Sequence, residues 1–277
     1  MKLRYLTIVI SLFITISISA QENAPKSLLA SYSTPVKFSP APDLSPQEIE
    51  MKVNAINPYT LYRKGSVAEY AFEWKGKPSK FREGPSYVQQ IVVDEKIENG
   101  LLVAYVQQAF FNKKHKPSKG LPDSFKSYYY PTEIDTAGTF HLTHDINRGF
   151  VFLTKRQGYA MMMPSDLKIG DLLQCNTIKD RSKNGLGGAI DFTTSYSDFK
   201  VVGEEQITTP AGTFNCLKLT GRTTEKMGGV GGYTYNAYCQ WWIARGIGFV
   251  RYEIYDDTEK GRKSEPFVIY LNQIDLK

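Results

Sequence analysis

Apolar and polar residues alternate along most of the chain from residue 66 onward. Tyr70, Phe72 and Trp74 interleave with Glu69, Ala71 and Glu73, the two-residue period of a strand. The runs 87–97 and 101–111 flank Glu98-Asn99-Gly100, and an Asn-Gly pair between such runs predicts a hairpin. The runs 200–208 and 213–220 flank Thr209-Pro210-Ala211-Gly212, where Pro at the second position and Gly at the fourth suit a type I turn. The runs 249–255 and 267–274 flank a polar loop around Gly261. Repeated short strands with turn signals between them predict an antiparallel sheet, sandwich or barrel.

One segment follows a different period. Ser45-Pro46-Gln47-Glu48 reads as an N-cap, a proline in the first turn and an acid at the third position. Ile49, Val53 and Ile56 then recur at helical spacing before Asn57-Pro58, predicting one short amphipathic helix. Ahead of it, Pro25, Pro35, Pro40 and Pro42 interrupt both helix and sheet, so residues 21–44 read as a linker or extended arm. Residues 45–277 show no internal repeat and no second linker. The expected fold class is mainly β: a single curved antiparallel sheet or half-barrel with one short N-terminal helix.

The first twenty residues read as an address. Lys2 and Arg4 precede an apolar run from Leu6 to Ile18, and Ser19-Ala20 supplies small residues for cleavage before Gln21. A run of about 13 residues reaches only about 20 Å as a helix, too short for a membrane span. No cysteine lies near the cleavage point, so the expectation is an exported chain, periplasmic or secreted, without a lipid anchor. Losing Lys2 and Arg4 with the leader lowers the formal net charge from +6 to +4. So slight a charge gives no basis for a nucleic-acid partner. Aromatic residues make up 13% of the chain, which excludes disordered and collagen-like classes.

Three stretches, KIGDLLQC (168–175), VVGEEQITTPAGTFNCLKL (201–219) and WWIARGIGFVRYEIYD (241–256), carry a family pattern. Gly170-Asp171, Gly203-Glu204-Glu205, Pro210 to Phe214 and Gly246-Ile247-Gly248 are its markers. In these the chain resembles the TapB-like domain-of-unknown-function family of bacterial secreted and periplasmic β-proteins. The resemblance implies a curved antiparallel β domain in the cell envelope and brings no catalytic residues with it. Read physically, Gly246 and Gly248 mark a bulge or a bend where another backbone passes close.

Candidate chemistry is sparse. Cys216 and Cys239 are equidistant from a hairpin centre between Met227 and Gly228, which would oppose them as a disulfide, with Cys175 left over. His141 and His144 form an HxxH that could hold a metal on a helix, the basis of a metal-assisted hydrolase reading. The flanking residues instead suggest strand and turn. Asp180, Ser182, Asn184, Gly185 and Asp191 fall at calcium-loop spacing, with Arg181 and Lys183 opposing a dication. No nucleophile elbow or phosphate-cradling glycine loop is present in the sequence, and no cofactor is implied.

Aromatics remain. Tyr128, Tyr130, Tyr235, Tyr238, Trp241 and Trp242 are the candidate wall of a concave face that stacks on a glycan or encloses an apolar ligand. The leading expectation is a non-catalytic exported binding protein, and the rival is an assembly partner of another envelope protein.

Overall fold

The computed structural model describes residues 57, 59–60, 62–73, 86–98, 101–116, 127–135, 138–142, 155–157, 159–183, 189–228, 232–258, 261–262 and 266–277. The expected leader, arm and helix at 45–56 lie outside the described residues. The strands are β1 (Val67–Glu73), β2 (Tyr87–Glu98), β3 (Leu101–Phe111), β4 (Ser127–Ile134) and β5 (Phe140–Leu142). Then come β6 (Lys155–Gln157), β7 (Met161–Met163), β8 (Gln174–Cys175), β9 (Thr177–Lys183) and β10 (Ala189–Thr209). β11 (Gly212–Met227), β12 (Tyr233–Ala244), β13 (Gly248–Thr258), β14 (Gly261–Arg262) and β15 (Phe267–Asp275) complete the set.

All pair antiparallel in one sheet of order β6-β9-β10-β11-β12-β13-β15-β1-β2-β3-β4-β5-β7-β8, with β14 added to β13. The last strand, β15, pairs with the first and so joins two consecutive meanders, β1–β5 and β9–β13. The predicted hairpins form. Glu98 faces Leu101, leaving a two-residue connection, and Thr209 faces Gly212 across Pro210-Ala211.

The sheet is open, yet it curls until the chain beside β8, at one end, meets β10, third from the other end. The Leu173 amide donates to the Phe199 carbonyl at 2.8 Å, and the Val201 amide donates to the Asp171 carbonyl at 2.9 Å. The cause lies partly in β10, 21 residues long, where Asp198 takes φ of 58°. Register slips occur there between Ser197 and Lys200 and again between Val201 and Gly203. An inserted residue bends its strand and adds twist, which turns a long flat hairpin into a curved wall.

One apolar cluster fills the inside of that curve, drawing Tyr70, Phe110, Leu142, Met163, Ile178, Phe199, Leu219, Trp241 and Ile269 from strands far apart in the sheet order. Alternation assigns these positions inward, and removing each large side chain from water contributes about 1.5–3 kcal/mol. Asn57-Tyr59 closes one end. The Asn57 amide group donates to the Gly138 and Met163 carbonyls at 2.8 and 2.7 Å, and its oxygen accepts from the Tyr59 amide at 2.9 Å. Gly248, at φ of 92°, lies where an added Cβ would stand 3.4 Å from the Tyr59 carbonyl oxygen. The glycine expected to admit a passing backbone does so.

Candidate binding site on the outer face

β11, β12, β13 and β15 present a second set of side chains to the opposite face. Register puts Lys218 opposite Trp242, Trp242 opposite Arg251, and Arg251 opposite Tyr270, a single row across four strands. Two rows over along β12 and β13, past Thr220, Gln240 and Glu253, Arg222 faces Tyr238 and Tyr238 faces Tyr255.

Trp242 is the organising residue. Its indole N–H donates to Glu205 Oε2 at 2.8 Å, while Lys218 Nζ donates to Glu205 Oε1 at 2.8 Å. Lys218 and Arg251 approach its ring at 4.9 and 5.7 Å from the centroid. Each cation on the indole contributes about 0.5–1 kcal/mol. The donated bonds from Lys218 and then Trp242 hold the Glu205 carboxyl below its ordinary range. Arg251 also donates twice to Glu253 Oε1, at 2.6 and 2.9 Å, and the Tyr255 hydroxyl donates to Glu253 Oε2 at 2.6 Å. Burial, then this bond to a carboxylate, pushes the Tyr255 phenol up to about 12.

Tyr238 and Tyr255 are half-buried, their ring centroids 6.1 Å apart, and Arg222 pairs with Asp257 at 3.2 Å beside them. Two tyrosine faces rimmed by charged hydrogen-bonding groups form a surface suited to stacking a sugar ring.

The six aromatics expected on one wall are divided. Trp241 is fully buried in the inner core, with Phe199, Tyr252 and Phe249 centroids at 4.5, 5.1 and 5.3 Å. Tyr235 shares its face and donates to Asp256 Oδ1 at 2.6 Å; burial first, then nearby Glu225, raises its pKa. Trp242 and Tyr238 point the other way, because neighbouring and odd-spaced strand residues alternate. Tyr128 and Tyr130 fall on β4 opposite Gln108 and Val106. The concave wall expected from the sequence is therefore filled by the protein's own core.

The Cys216–Cys239 pairing is corrected by register. Met227 faces Tyr233, so the hairpin is centred on Val230; Cys216 faces Ala244 and Cys239 faces Gly221. Five positions and an odd offset put the thiols on opposite faces, and no disulfide joins Cys175, Cys216 or Cys239. Burial, then the Glu205 charge, pushes the Cys216 thiol up to about 11, and burial also raises Cys175.

His141 lies on strand β5, not a helix, with Nε2 3.2 Å from Asp135 Oδ2 and its ring stacked on Tyr159 at 5.1 Å. His144 lies outside the described residues. Asp180 faces Phe192 and Asp191 faces Arg181, so these two lie on paired antiparallel strands rather than in a helix-flanked calcium loop; Asn184 and Gly185 lie outside the described residues. Among the described residues no three metal-ligating side chains converge.

Sequence reasoning missed Glu69. Its carboxylate, only 3% exposed, accepts from Gln89 Nε2 and Asn272 Nδ2, each at 2.7 Å, with His115 Nε2 at 3.3 Å. Its regular place on a β1 pattern gave no signal that it would be buried.

A family model described as DUF3108-like matches residues 153–264, the stretch holding β6 to β14 and, of the outer-face row, Lys218, Trp242 and Arg251. No curated protein matches. Two solved structures share the fold. One is an exported-protein candidate with a YmcC-like fold from Bacteroides fragilis NCTC 9343, at 17% identity and TM-score 0.57, covering 79% of this chain and 99% of that one. The other is a candidate lipoprotein from Parabacteroides distasonis ATCC 8503, at 15% identity and TM-score 0.54, with the same 79% and 99% coverage.

Proposed function

We propose that this is an exported, non-catalytic envelope protein that binds a glycan on the outer face of its sheet, at Tyr238 and Tyr255. The observation that carries the reading is the opposed tyrosine pair, half-buried and rimmed by Arg222, Asp257 and Glu253. Glu205 is held ionised, whereas Tyr255 and Cys216 are moved up, away from neutral pH. An envelope location is supported by the leader-like start and by the two fold neighbours, one an exported-protein candidate and one a lipoprotein candidate. The finer TapB-like assignment rests on the motifs at 168–175, 201–219 and 241–256.

A native mass spectrum of the protein from its own envelope tests the reading. A reproducible hexose- or hexosamine-spaced adduct, lost in Tyr238→Ala with the melting temperature held, is the expected result. A bare processed mass, or an adduct unaffected by Tyr238→Ala, overturns the glycan site. The same spectrum distinguishes a lipid-modified chain by its added acyl mass.

A further inference from the structure

Two rows beyond the tyrosine pair, towards the β11–β12 connection, register sets Thr193, Lys226 and Thr234 side by side across β10, β11 and β12. Ser195, Thr224 and Asn236 form the row between. Alternate strand positions share a side, so all three rows lie on the outer face. The intervening row is internally matched. The Thr177 and Ser195 hydroxyls are 3.0 Å apart, and the Thr224 hydroxyl donates to Asn236 Oδ1 at 2.9 Å. In the tyrosine row Arg222 is taken by Asp257. Thr193, Lys226 and Thr234 differ: among the described residues no side-chain hydrogen bond or ion pair engages them.

These three instead line a cleft of about 410 Å³, together with Asp191 and Tyr233. That volume is within the range of small-ligand sites. The Gly228 amide donates to the Asp191 carbonyl at 2.8 Å, which ties the end of β11 to the start of β10 and fixes the cleft's floor. Across the row, hydroxyl, ammonium and hydroxyl follow one another at the strand spacing of about 4.8 Å. An ammonium offers three donors and no acceptor, so its best complement is an anionic oxygen pair. Exposed Lys179 faces Thr193 from β9, so two ammonium groups outweigh the Asp191 carboxylate. Asp191 in turn is an acceptor for the hydroxyls of a sugar ring.

Thr234 and Tyr238 are four residues apart on β12, about 13 Å at the rise of an antiparallel strand. A single sugar ring is too short to touch both. A chain of sugars laid along β12 reaches from one to the other across the hydroxyl row.

We propose that the cleft at Thr193, Lys226 and Thr234 holds the carboxylate of an acidic sugar, so that the glycan stacked on Tyr238 and Tyr255 is an acidic oligosaccharide. This rests on the glycan reading above and adds the ligand's charge and its minimum length.

Calorimetric titration of the protein with galacturonic acid, its linear trimer and a linear galactose trimer tests it. The acidic trimer should bind at least about fivefold more tightly than the acidic monomer or the neutral trimer. Lys226→Gln, at an exposed position, should bring the acidic trimer to the neutral one's affinity with the melting temperature unchanged. Added salt should erode the same difference and leave neutral binding in place. Equal binding of the two trimers, both weakened by Tyr238→Ala, overturns the acidic cleft and leaves the stacking site standing. An acidic monomer as tight as its trimer also overturns it. Acidic preference that needs Lys226 but survives Tyr238→Ala takes the tyrosines out of the site, overturning both the proposal and the glycan reading beneath it. Absence of binding by all three sugars overturns both as well.

Discussion

The Phe199 ring occupies the space a side chain on Gly221 would need. A Cβ at Gly221 would lie 2.3–2.6 Å from three of the ring's carbons. That ring packs against Trp241 at 4.5 Å, tilted by 46°, so the absent methyl lets β10 and β12 share one aromatic core across β11. Alanine ordinarily helps a strand interior by relieving backbone entropy, about 0.5–1 kcal/mol. Here overpacking dominates, at about 1–3 kcal/mol. Gly221→Ala should lower the denaturation midpoint, with Phe199→Leu in the same chain recovering part of the loss. An unchanged midpoint would show that the ring has room to move.

Asn57 gives a test of the end closure. Its side chain is fully buried and satisfies two carbonyls and one amide. Asn57→Ala leaves those groups without partners, a loss of about 2–3 kcal/mol. Asn57→Asp keeps the acceptor for the Tyr59 amide but loses both donors, and should be no better. Urea melts of the two variants check this, and a loss under 1 kcal/mol would mean water replaces the side chain easily.

The unbridged state of the three cysteines is tested by labelling. With Cys216 pushed up to about 11 by burial, little thiolate exists at pH 8. Iodoacetamide should therefore modify the folded protein slowly and add three labels after unfolding without reductant. Only one label after unfolding would restore a disulfide.

Strand alternation from 66 onward was legible, and the hairpins at 99–100 and 210–211 followed from turn chemistry alone. The β11–β12 register was legible too, because Gly228-Gly229-Val230-Gly231-Gly232 is symmetric about Val230. Centring the hairpin on the cysteines instead displaced it. The first half of β10 was hidden by the Gly-rich stretch before it, although Phe192, Thr194 and Tyr196 alternate and are buried. Trp241 and Trp242 could never share a wall, since adjacent strand residues face apart. Which of the two joins the main core and which the smaller cluster with Cys216, Ala244 and Val250 depends on curvature, set by the Asp198 and Val202 irregularities rather than by any periodic pattern.

Glu205 makes a pH prediction with a definite sign. Its folded pKa is lowered, by the bonds from Lys218 and then Trp242, so its contribution is present above the unfolded value of about 4.3. That contribution is lost as pH falls through the lower folded value. The carboxylate is 43% exposed, so solvent screening keeps the effect below about 1 kcal/mol. The stability gap between the parent protein and Glu205→Gln should be open at pH 7 and close towards pH 3. An equal gap at both values would assign the effect to packing on Trp242 rather than to charge.

Glu69 offers the sharpest contrast with that exposed pair. Two amide donors at 2.7 Å and the His115 ring at 3.3 Å surround a carboxylate that water barely reaches. The donors come from β2, from β15 and from the 112–116 turn, so a single side chain ties three pieces of chain to β1. Removing it leaves Gln89 and Asn272 amides with lost partners, each at about 1–3 kcal/mol. Glu69→Ala should therefore destabilise more than Glu205→Ala. Glu69→Gln should fall between, because its oxygen can serve only one of the two amides while its own N–H groups oppose the other. His115 stacks on Tyr87 at 4.1 Å and holds φ of 52°, so loss of Glu69 should also loosen the 112–116 turn. Faster exchange of the His115 amide in Glu69→Gln, with β12 amides unchanged, is the expected signature. Uniform acceleration across the sheet would mean that Glu69 acts through global stability alone.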